Sequence, residues 1–490
     1  MQTQQQLNRP AYRLALAGLI GALGVLCFAP FEQYWFAPFI WLGLFVLLLR
    51  AESTSQAALT GLSFGLGFFL SGVSWVYVSL SVFGGMPWWL AGVAAFLFCT
   101  VMALFPMLAG GIFKHYQPAS CWRRSVFFAA LIATVDWVRS WIFTGFPWLA
   151  VGYSQAPPSP LAGFAPLLGI HGLSLIVALS GALLLRWRTG LIFLLLIMVS
   201  GWGLKQIAWT SPSGPPISVA LIQGNIPQEM KFRPEAFVKT LNTYRQLIEE
   251  NPAQLTLIPE TAFPAFYDQL PTGYLAALKS IVKAHGGDLI FGALSGDGEK
   301  YWNSAISIGS SPQQTYSKQH LVPFGETIPP GFSWFMDIAS IPMSSFTHGA
   351  SKQAPLNVAG QQVAINICYE DVFGEELIGA LPQAGILANL SNTAWFGRSL
   401  AQPQHLQIAR MRAVETGRPM LRATNTGMTA VIEANGNIQA QLPAFTQGAL
   451  NATVSPYQGM TPYAQFGNIG FLLLASLGLL VGGWPVKRLD

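Results

Sequence analysis

The sequence predicts a multi-pass α-helical membrane protein with about eight spans and one inserted α/β domain. Of the 490 residues, 52% are hydrophobic and only 10% are charged, whereas about 25% of residues are charged in a typical soluble domain. The charges are also unevenly placed: residues 1–216 hold ten Lys/Arg and three Asp/Glu, and residues 217–455 hold fourteen and seventeen. The net charge of +5 therefore originates in the apolar part of the chain, and a basic surface for nucleic acid is not predicted.

Hydrophobic segments of membrane-helix length fill the first part of the sequence and recur once at its end. Several reach the roughly 20 residues that cross a bilayer as a helix. The first segment is similar to a signal peptide, but six more follow it closely, so we expect it to remain as an uncleaved helix. The eight segments lie at residues 12–29, 35–50, 57–82, 87–111, 125–144, 162–185, 189–206 and 466–484.

Basic residues in the short loops predict the orientation of these helices, because loops that carry Lys and Arg stay in the cytoplasm. A cytoplasmic amino terminus puts nearly all of these residues on one side, and Arg139 and Lys205 are the exceptions. Both termini are then cytoplasmic, and residues 207–465 lie on the other side of the membrane. The basic residues on the cytoplasmic side are Arg9, Arg13, Arg50, Lys114, Arg123, Arg124, Arg186, Arg188, Lys487 and Arg488.

Changes in composition divide the chain into four parts. Residues 1–206 hold the first seven predicted helices, and residues 207–216 form a linker rich in Pro, Gly and Ser. Residues 217–455 form the polar domain, and residues 456–490 hold the eighth helix and a short tail. We therefore expect a polar domain inserted between the seventh and eighth membrane helices.

Asp136 and Arg139 stand three residues apart near the outer end of the fifth hydrophobic segment. Charges inside a membrane span are candidates for function by default. On a helix, however, side chains at this spacing are neighbours and neutralise each other, and we favour this structural interpretation. The segment that follows, residues 143–155, is aromatic and rich in Gly and Pro, which fits either an interfacial anchor or part of a lipid-facing cleft.

Short apolar runs alternate with helical patterns in the polar domain, which is typical of an α/β sheet covered by helices. The runs at 302–308 and 314–317 are close enough to form a hairpin. The other strands are predicted at 217–223, 255–258, 289–292, 363–367, 386–390, 419–424 and 428–433, and helices at 234–250, 272–285, 373–381 and 402–416.

Three reactive side chains come directly after predicted strands: Glu260, Lys318 and Cys368. In α/β sheets, active sites are built at such strand ends. Each residue also has a plain structural explanation: a carboxylate at a helix start, a solvated lysine in a turn, and a buried thiol that only packs. Three matching positions with a coherent chemistry make a common site the better explanation.

That chemistry is nucleophilic attack by a thiol. A thiol is mostly protonated near neutral pH, and its thiolate is the nucleophile. A carboxylate can take the proton, and an ammonium can stabilise the thiolate and the oxyanion that forms at an attacked carbonyl. Cys368 is the only cysteine in the polar domain, and the cysteine pattern predicts no disulfide framework, metal site or cofactor.

The residues around these positions resemble the nitrilase, or carbon–nitrogen hydrolase, superfamily, and more narrowly the apolipoprotein N-acyltransferase family. The similarity covers nearly the whole chain and includes the aromatic segment at 143–155. In the polar domain it rests on the motifs IPETAFP (258–264), SKQHLVPFGE (317–326), ICYEDVFG (367–374), LSNTAWFG (390–397), ARMRAVETGRP (409–419) and TNTG (424–427).

The resemblance implies an αββα sandwich with a Glu-Lys-Cys triad. Glu260 is then the general base, Lys318 stabilises the oxyanion, and Cys368 is the nucleophile that forms a thioester. Phe232 follows Lys231 at a position where the family often has Trp, so the sequence departs from the family's pattern there. The supporting residues implied by the resemblance are Glu326, Tyr369, Glu370, Asn303 and Phe232.

The reaction implied by the resemblance is N-acylation of the diacylglyceryl-cysteine of apolipoproteins, with a membrane phospholipid as acyl donor. The polar domain is then periplasmic, in a bacterial inner membrane. Two alternatives remain: a membrane-tethered amidase or nitrilase with water as acceptor, and a scaffold without activity. The apolar segments favour lipid substrates, since a soluble amide needs no membrane base, and the complete triad argues against a scaffold.

Overall fold

The computed structural model describes residues 9–231, 233–328, 331 and 345–483. Within these residues the chain forms two compact units. The first is drawn from Met1–Tyr77, Pro87–Ala208 and Gln465–Asp490, and the second from Val78–Met86 and Trp209–Ala464. Apolar helices make up the first unit, and the β-sheets belong to the second.

Each hydrophobic segment predicted from the sequence contains a helix. In the predicted segment 57–82 the long regular helix ends at Val73. A π-helical turn follows at Ser79–Phe83, within the stretch Val78–Met86 that belongs to the second unit. The helices are α1 Pro10–Leu23, α2 Ala37–Arg50, α3 Thr54–Val73, α4 Trp88–Tyr116, α5 Cys121–Arg139, α6 Ala165–Leu183, α7 Trp187–Leu204, α8 Pro234–Glu250, α9 Thr272–Lys283, α10 Gly374–Leu377, α11 Ala401–Thr416, α12 Pro462–Phe466 and α13 Ile469–Gly483.

Five helical stretches in the described chain are long and apolar enough to cross a membrane. They contain α1, α3, α4, α6 and α7. Two other apolar helices, α2 and α13, are shorter, and α5 carries Arg123, Arg124, Asp136 and Arg139. Length and composition therefore support a membrane protein, while the count of eight spans stays a prediction.

Asp136 and Arg139 form the buried ion pair that their spacing predicts. Arg139 Nη2 lies 2.6 Å from Asp136 Oδ1, and Asp136 Oδ2 accepts hydrogen bonds from Ser174 Oγ at 2.7 Å and the Val151 backbone N–H at 3.0 Å. Arg139 Nη1 also donates to the Trp148 carbonyl at 2.8 Å. The pair therefore fastens the aromatic segment 143–155 to the end of α5, and this ion pair accounts for both charges structurally.

Replacing Asp136 with Ala is expected to destabilise the first unit by roughly 3–5 kcal/mol, because it leaves the Arg139 guanidinium buried without its counter-charge. Thermal unfolding of the detergent-solubilised protein measures the effect. The matched control is the double variant Asp136→Ala/Arg139→Met, which removes both charges and is expected to recover part of the loss. Equal destabilisation of the single and double variants would contradict the ion-pair explanation.

The second unit contains two six-stranded sheets and a two-stranded ribbon. One sheet has the order β13-β2-β3-β4-β5-β6, the other has the order β12-β11-β10-β9-β8-β7, and β1 pairs with β14. In each six-stranded sheet the central strands are parallel and the outer pairs are antiparallel. The strands are β1 Thr210–Pro212, β2 Ile217–Gln223, β3 Leu255–Leu257, β4 Asp288–Gly296, β5 Tyr301–Gly309, β6 Thr315–Ser317, β7 Leu356–Val358, β8 Gln361–Ile367, β9 Ile386–Ser391, β10 Met420–Thr424, β11 Ala430–Ile432, β12 Ile438–Gln441, β13 Gly448–Val454 and β14 Tyr457–Gly459.

The two sheets pack face to face with helices on their outer surfaces. Side chains of both sheets share one buried core, with Val219 and Leu257 from the first sheet and Ile365 and Ala388 from the second. The outer face of the first sheet packs on α8 and α9, and the outer face of the second packs on α10 and α11. This is the αββα sandwich that the resemblance implies.

Two features of the polar domain were not predicted. Residues 207–216, predicted as a linker, contain β1, which pairs antiparallel with β14 from the other end of the domain's sequence. The edge strands β7, β12, β13 and β14 were also not predicted. Their sequences mix polar and apolar residues because one face is exposed, so they lack the continuous apolar run of a central strand.

Candidate active site

The three triad candidates meet because they all follow strand ends of the sandwich. Lys318 comes directly after β6, and Glu260 lies three residues beyond the end of β3 in the same sheet. Cys368 comes directly after β8 of the facing sheet. All three side chains are buried, with 6% exposure at Glu260, 1% at Lys318 and 8% at Cys368. The fold thus brings together residues that are separated by more than a hundred positions in sequence.

Both oxygens of the Glu260 carboxylate are hydrogen bonded. Oε1 accepts from Asn303 Nδ2 at 2.7 Å and from Lys318 Nζ at 3.3 Å, and Oε2 accepts from the Asn392 backbone N–H at 2.8 Å. Burial alone raises the pKa of this carboxyl, but the Lys318 ammonium and the two other donors hold the pKa below its ordinary value. These contacts favour the ionised carboxylate, which is the form that the predicted role of Glu260 as a base requires.

Lys318 lies between two carboxylates. Its Nζ is 3.3 Å from Glu260 Oε1 and 2.8 Å from Glu326 Oε2. Burial disfavours the charge, but the two carboxylates raise the pKa of Lys318 above its ordinary value. Asn303 Nδ2 bridges the same two residues, 2.7 Å from Glu260 Oε1 and 2.8 Å from Glu326 Oε1. Glu326 and Asn303 thereby fix the ammonium and the base relative to each other.

Cys368 occupies a strained turn at the end of its strand. Its φ is +54°. This lies in the left-handed region, which residues other than glycine occupy at a cost of about 1–3 kcal/mol. A sharp turn of this kind is how α/β-hydrolases present a nucleophile at the end of a strand. Burial and the Glu260 carboxylate raise the pKa of the Cys368 thiol, which Lys318 opposes. The resting thiol is therefore protonated, and action as a nucleophile would require a neighbouring base to take its proton.

A buried polar network supports the turn from behind. Asn389 Nδ2 donates to the Cys368 carbonyl at 3.1 Å, and Asn389 Oδ1 accepts from Arg422 Nη1 at 2.7 Å. Arg422 also donates to Asp371 Oδ2 at 3.0 Å, and His405 Nε2 lies 2.7 Å from Asp371 Oδ1. Asp371, three residues after Cys368, is thus paired with Arg422 and His405 and belongs to the scaffold of the turn.

Glu370 connects the cysteine turn to the segment that follows Lys318. Its carboxylate accepts from the Ile367, Gln319 and His320 backbone N–H groups at 2.6, 2.7 and 3.1 Å, and from Tyr316 Oη at 3.0 Å. Burial raises the pKa of Glu370 to about 7, although the three backbone N–H donors and the Lys318 ammonium oppose the shift. Glu370 therefore holds two site segments together.

The remaining predicted site residues differ in what the structure shows of them. Tyr369 is 8% exposed, and its ring packs edge to face on Phe373 with centroids 5.1 Å apart. Phe232 lies outside the described residues.

Two residues that the sequence did not indicate also reach the site: Asn392, which donates its N–H to Glu260, and Lys231, whose Nζ lies 3.3 Å from the Glu260 carbonyl. The sequence signal that could have identified them is their position in the segments LSNTAWFG (390–397) and QGNIPQEMK (223–231).

The arrangement suits acyl transfer through a covalent intermediate. It offers a thiol, an ionised carboxylate to accept the thiol proton, and an ammonium beside them to stabilise developing negative charge. The lysine is held by two carboxylates, which keeps it charged throughout. This combination is able to open an ester, an amide or a nitrile, and the second substrate decides which reaction results.

Comparison with known families first defines the class of protein to which each part of the chain is similar. Residues 218–461 match the family described as carbon-nitrogen hydrolase, and residues 20–183 match the apolipoprotein N-acyltransferase N-terminal domain. A solved carbon-nitrogen hydrolase superfamily protein from Xanthomonas campestris is similar at 17% identity and a TM-score of 0.39, over 49% of this chain and 91% of that chain. The family match makes residues 218–461 a carbon–nitrogen hydrolase domain.

Whole-chain relatives then narrow the class. The apolipoprotein N-acyltransferase of Nitrosomonas europaea is 50% identical over 96% of this chain and 96% of its own length. Those of Ralstonia nicotianae and Chromobacterium violaceum are 43% and 44% identical, over 97% and 96% of this chain and 94% of each relative. The chain belongs to the apolipoprotein N-acyltransferase family, as its motifs predict.

Proposed function

We propose that this protein transfers an acyl chain from a membrane phospholipid to the N-terminal amine of a diacylglyceryl-cysteine apolipoprotein, through a thioester on Cys368. The observation that carries the proposal is the buried group of Glu260, Lys318 and Cys368 in a chain that also has apolar helices of membrane length. The name shared by the whole-chain relatives supports the same reaction. It favours this proposal over hydrolysis by the same triad.

The first half-reaction forms the thioester. Cys368 Sγ attacks the ester carbonyl of the phospholipid while the thiol proton moves to Glu260. The Lys318 ammonium stabilises the oxyanion of the tetrahedral intermediate. The ester C–O bond then breaks, and Glu260 returns the proton to the departing oxygen, which releases the lysophospholipid. The acyl chain remains on Cys368, and Glu260 is ionised again.

The second half-reaction transfers the chain to nitrogen. The apolipoprotein amine attacks the thioester carbonyl and loses a proton to Glu260. The C–S bond breaks, the amide forms, and the sulfur of Cys368 recovers its proton from Glu260. Because Cys368 is only 8% exposed and Glu260 only 6%, the site limits access of water, which would otherwise hydrolyse the thioester.

The membrane arrangement is part of the same proposal. We place eight spans in a bacterial inner membrane, with both termini in the cytoplasm and the catalytic domain, residues 217–455, in the periplasm. The distribution of Lys and Arg in the short loops supports this orientation. Five of the spans correspond to α1, α3, α4, α6 and α7, which are long and apolar enough to cross a membrane. We count the shorter apolar helices α2 and α13 and the more polar helix α5 as the other three, with residues 1–206 and 456–490 as the membrane part on either side of the domain.

Detergent-solubilised protein supplied with phospholipid and a diacylglyceryl-cysteine peptide tests this function. We expect lysophospholipid and N-acylated peptide in equal amounts, because each acyl chain passes through one thioester. The control reaction omits the peptide and is expected to stop after about one lysophospholipid per protein. Continuous release of free fatty acid without peptide acylation would instead indicate a hydrolase, and no product at all would indicate a scaffold.

A further inference from the structure

We propose that Lys231 is a second cationic residue of the active site: it positions Glu260 and balances the charge around the Cys368 thiol. This inference deepens the proposed function and rests on it. Lys231 belongs to the segment QGNIPQEMK, residues 223–231, which the triad does not use. We define it as a positioning residue, since it acts on the reaction through Glu260 and Cys368.

Lys231 is held against the residue that carries the base. Its side chain is 2% exposed, and its Nζ donates to Thr261 Oγ1 at 2.6 Å and to the Glu260 carbonyl at 3.3 Å. Thr261 has a φ of +44°, which is unfavourable for a β-branched residue. The two hydrogen bonds therefore stabilise the turn from which the Glu260 carboxylate extends.

The segment that delivers Lys231 is itself tied to the site. Gln228 Oε1 accepts from Asn392 Nδ2 at 2.9 Å, and the N–H of the same Asn392 donates to Glu260. Asn425 pairs with the Ile226 backbone through two hydrogen bonds of 2.9 and 2.8 Å. The motifs LSNTAWFG and TNTG, which the triad leaves without a role, thus anchor this segment beside the base.

Lys231 also completes the charge balance of the site. Glu260 and Glu326 bring two negative charges, and Lys318 brings one positive charge, so a protonated Lys231 makes the sum zero. The titratable groups that act on Lys231 are Glu260 and Cys368, and Lys318 in turn contacts both Glu260 and Glu326. Burial lowers the pKa of Lys231 to about 8, although Glu260 and Cys368 favour its charged form.

This balance determines how the rate depends on pH. Near neutral pH Lys231 is charged, which adds to the larger effects of Lys318, Asn392 and Asn303 in favouring the ionised Glu260 and stabilises the thiolate as it forms. As the pH rises through about 8, Lys231 loses its proton and this stabilisation disappears. The wild-type rate of thioester formation is therefore expected to fall on the alkaline side of this pH, where a free thiol would otherwise become more reactive.

The test compares Lys231→Met with Lys231→Arg by following acylation of Cys368 with phospholipid from pH 6 to 10, using rapid quenching and intact-protein mass spectrometry. For Lys231→Met we expect the rate of Cys368 acylation to be lower by on the order of 10- to 100-fold. We also expect the acid limb of its pH profile to move to higher pH, and the decrease in rate near pH 8 to be lost. Lys231→Arg keeps its charge at all these pH values, so it is expected to retain more activity and also to lose the fall near pH 8.

Two further variants separate charge from packing. Thr261→Val removes one acceptor of Lys231 but no charge, so it is expected to lower the rate with an unchanged pH profile. Lys239→Met removes an exposed lysine of α8 and is expected to change neither. If the wild type acylates Cys368 and Lys231→Met shares its rate and pH profile, the inference about Lys231 is wrong. If the wild type forms no adduct, the proposed function itself fails.

Discussion

Replacement of Cys368 by Ser is expected to leave a folded protein that forms no acyl-enzyme. A serine hydroxyl is a far weaker acid than a thiol, so Glu260, whose pKa lies below its ordinary value, is too weak a base to activate it. Removing the nucleophile of a catalytic triad reduces turnover by as much as about 10⁶-fold in a well-studied protease. We expect a loss of at least about 10³-fold here, measured as acyl adduct on the intact protein after incubation with phospholipid.

Two measurements make this prediction decisive. Thermal unfolding should be close to that of the wild type, because Ser and Cys have similar volumes and the strained turn is held through the main chain by Asn389. Cys121 offers a matched control, since it is a partly exposed thiol of the other unit, and Cys121→Ser should keep the full adduct. An adduct of normal yield in Cys368→Ser would refute the assignment of the nucleophile.

The sequence predicts the central elements of the domain well. The strand at 217–223 and the helix at 234–250 were predicted with the bounds that the structure has. Their patterns are clear: one is a mostly apolar run, ISVALIQ, that stops before Gly224, and the other is an amphipathic helix that starts at a proline. The strand ends also placed Glu260, Lys318 and Cys368 in one site, because side chains at such ends converge in a layered fold.

The sequence does not reveal which buried charges pair. Asp371 lies three residues after Cys368, and its spacing in the sequence does not indicate that it pairs with His405 and Arg422. From the sequence alone, Lys231 is expected to lie on the surface, because a lysine is rarely buried unless it has a partner and the sequence shows no partner nearby. Its partners, Glu260 and Thr261, are about thirty residues away. Such pairings depend on how loops from different strands meet, and local periodicity carries no information about that.

Lys318→Met is expected to nearly abolish thioester formation for two separate reasons. The change removes the ammonium that contacts Glu260 and Glu326 and leaves two carboxylates joined by Asn303. The Glu326 carboxylate, no longer balanced by Lys318, then raises the pKa of the Glu260 carboxyl, so a smaller fraction of Glu260 is ionised and able to act as a base. The oxyanion also loses its cation, and loss of one such donor costs about 10²–10³-fold. Together we expect a decrease of at least about 10³-fold in the rate of Cys368 acylation.

The double variant Lys318→Met/Glu326→Gln separates the two reasons. Removing the Glu326 charge lowers the pKa of Glu260 again, so the acid limb of the pH profile, which moves to higher pH in Lys318→Met, should move back. The maximal rate should stay low, because the oxyanion still lacks its cation. An acid limb that is the same in all three proteins would show that Lys318 does not control the ionisation of Glu260. A maximal rate restored by Glu326→Gln would show instead that charge repulsion, and not loss of oxyanion stabilisation, accounts for the defect.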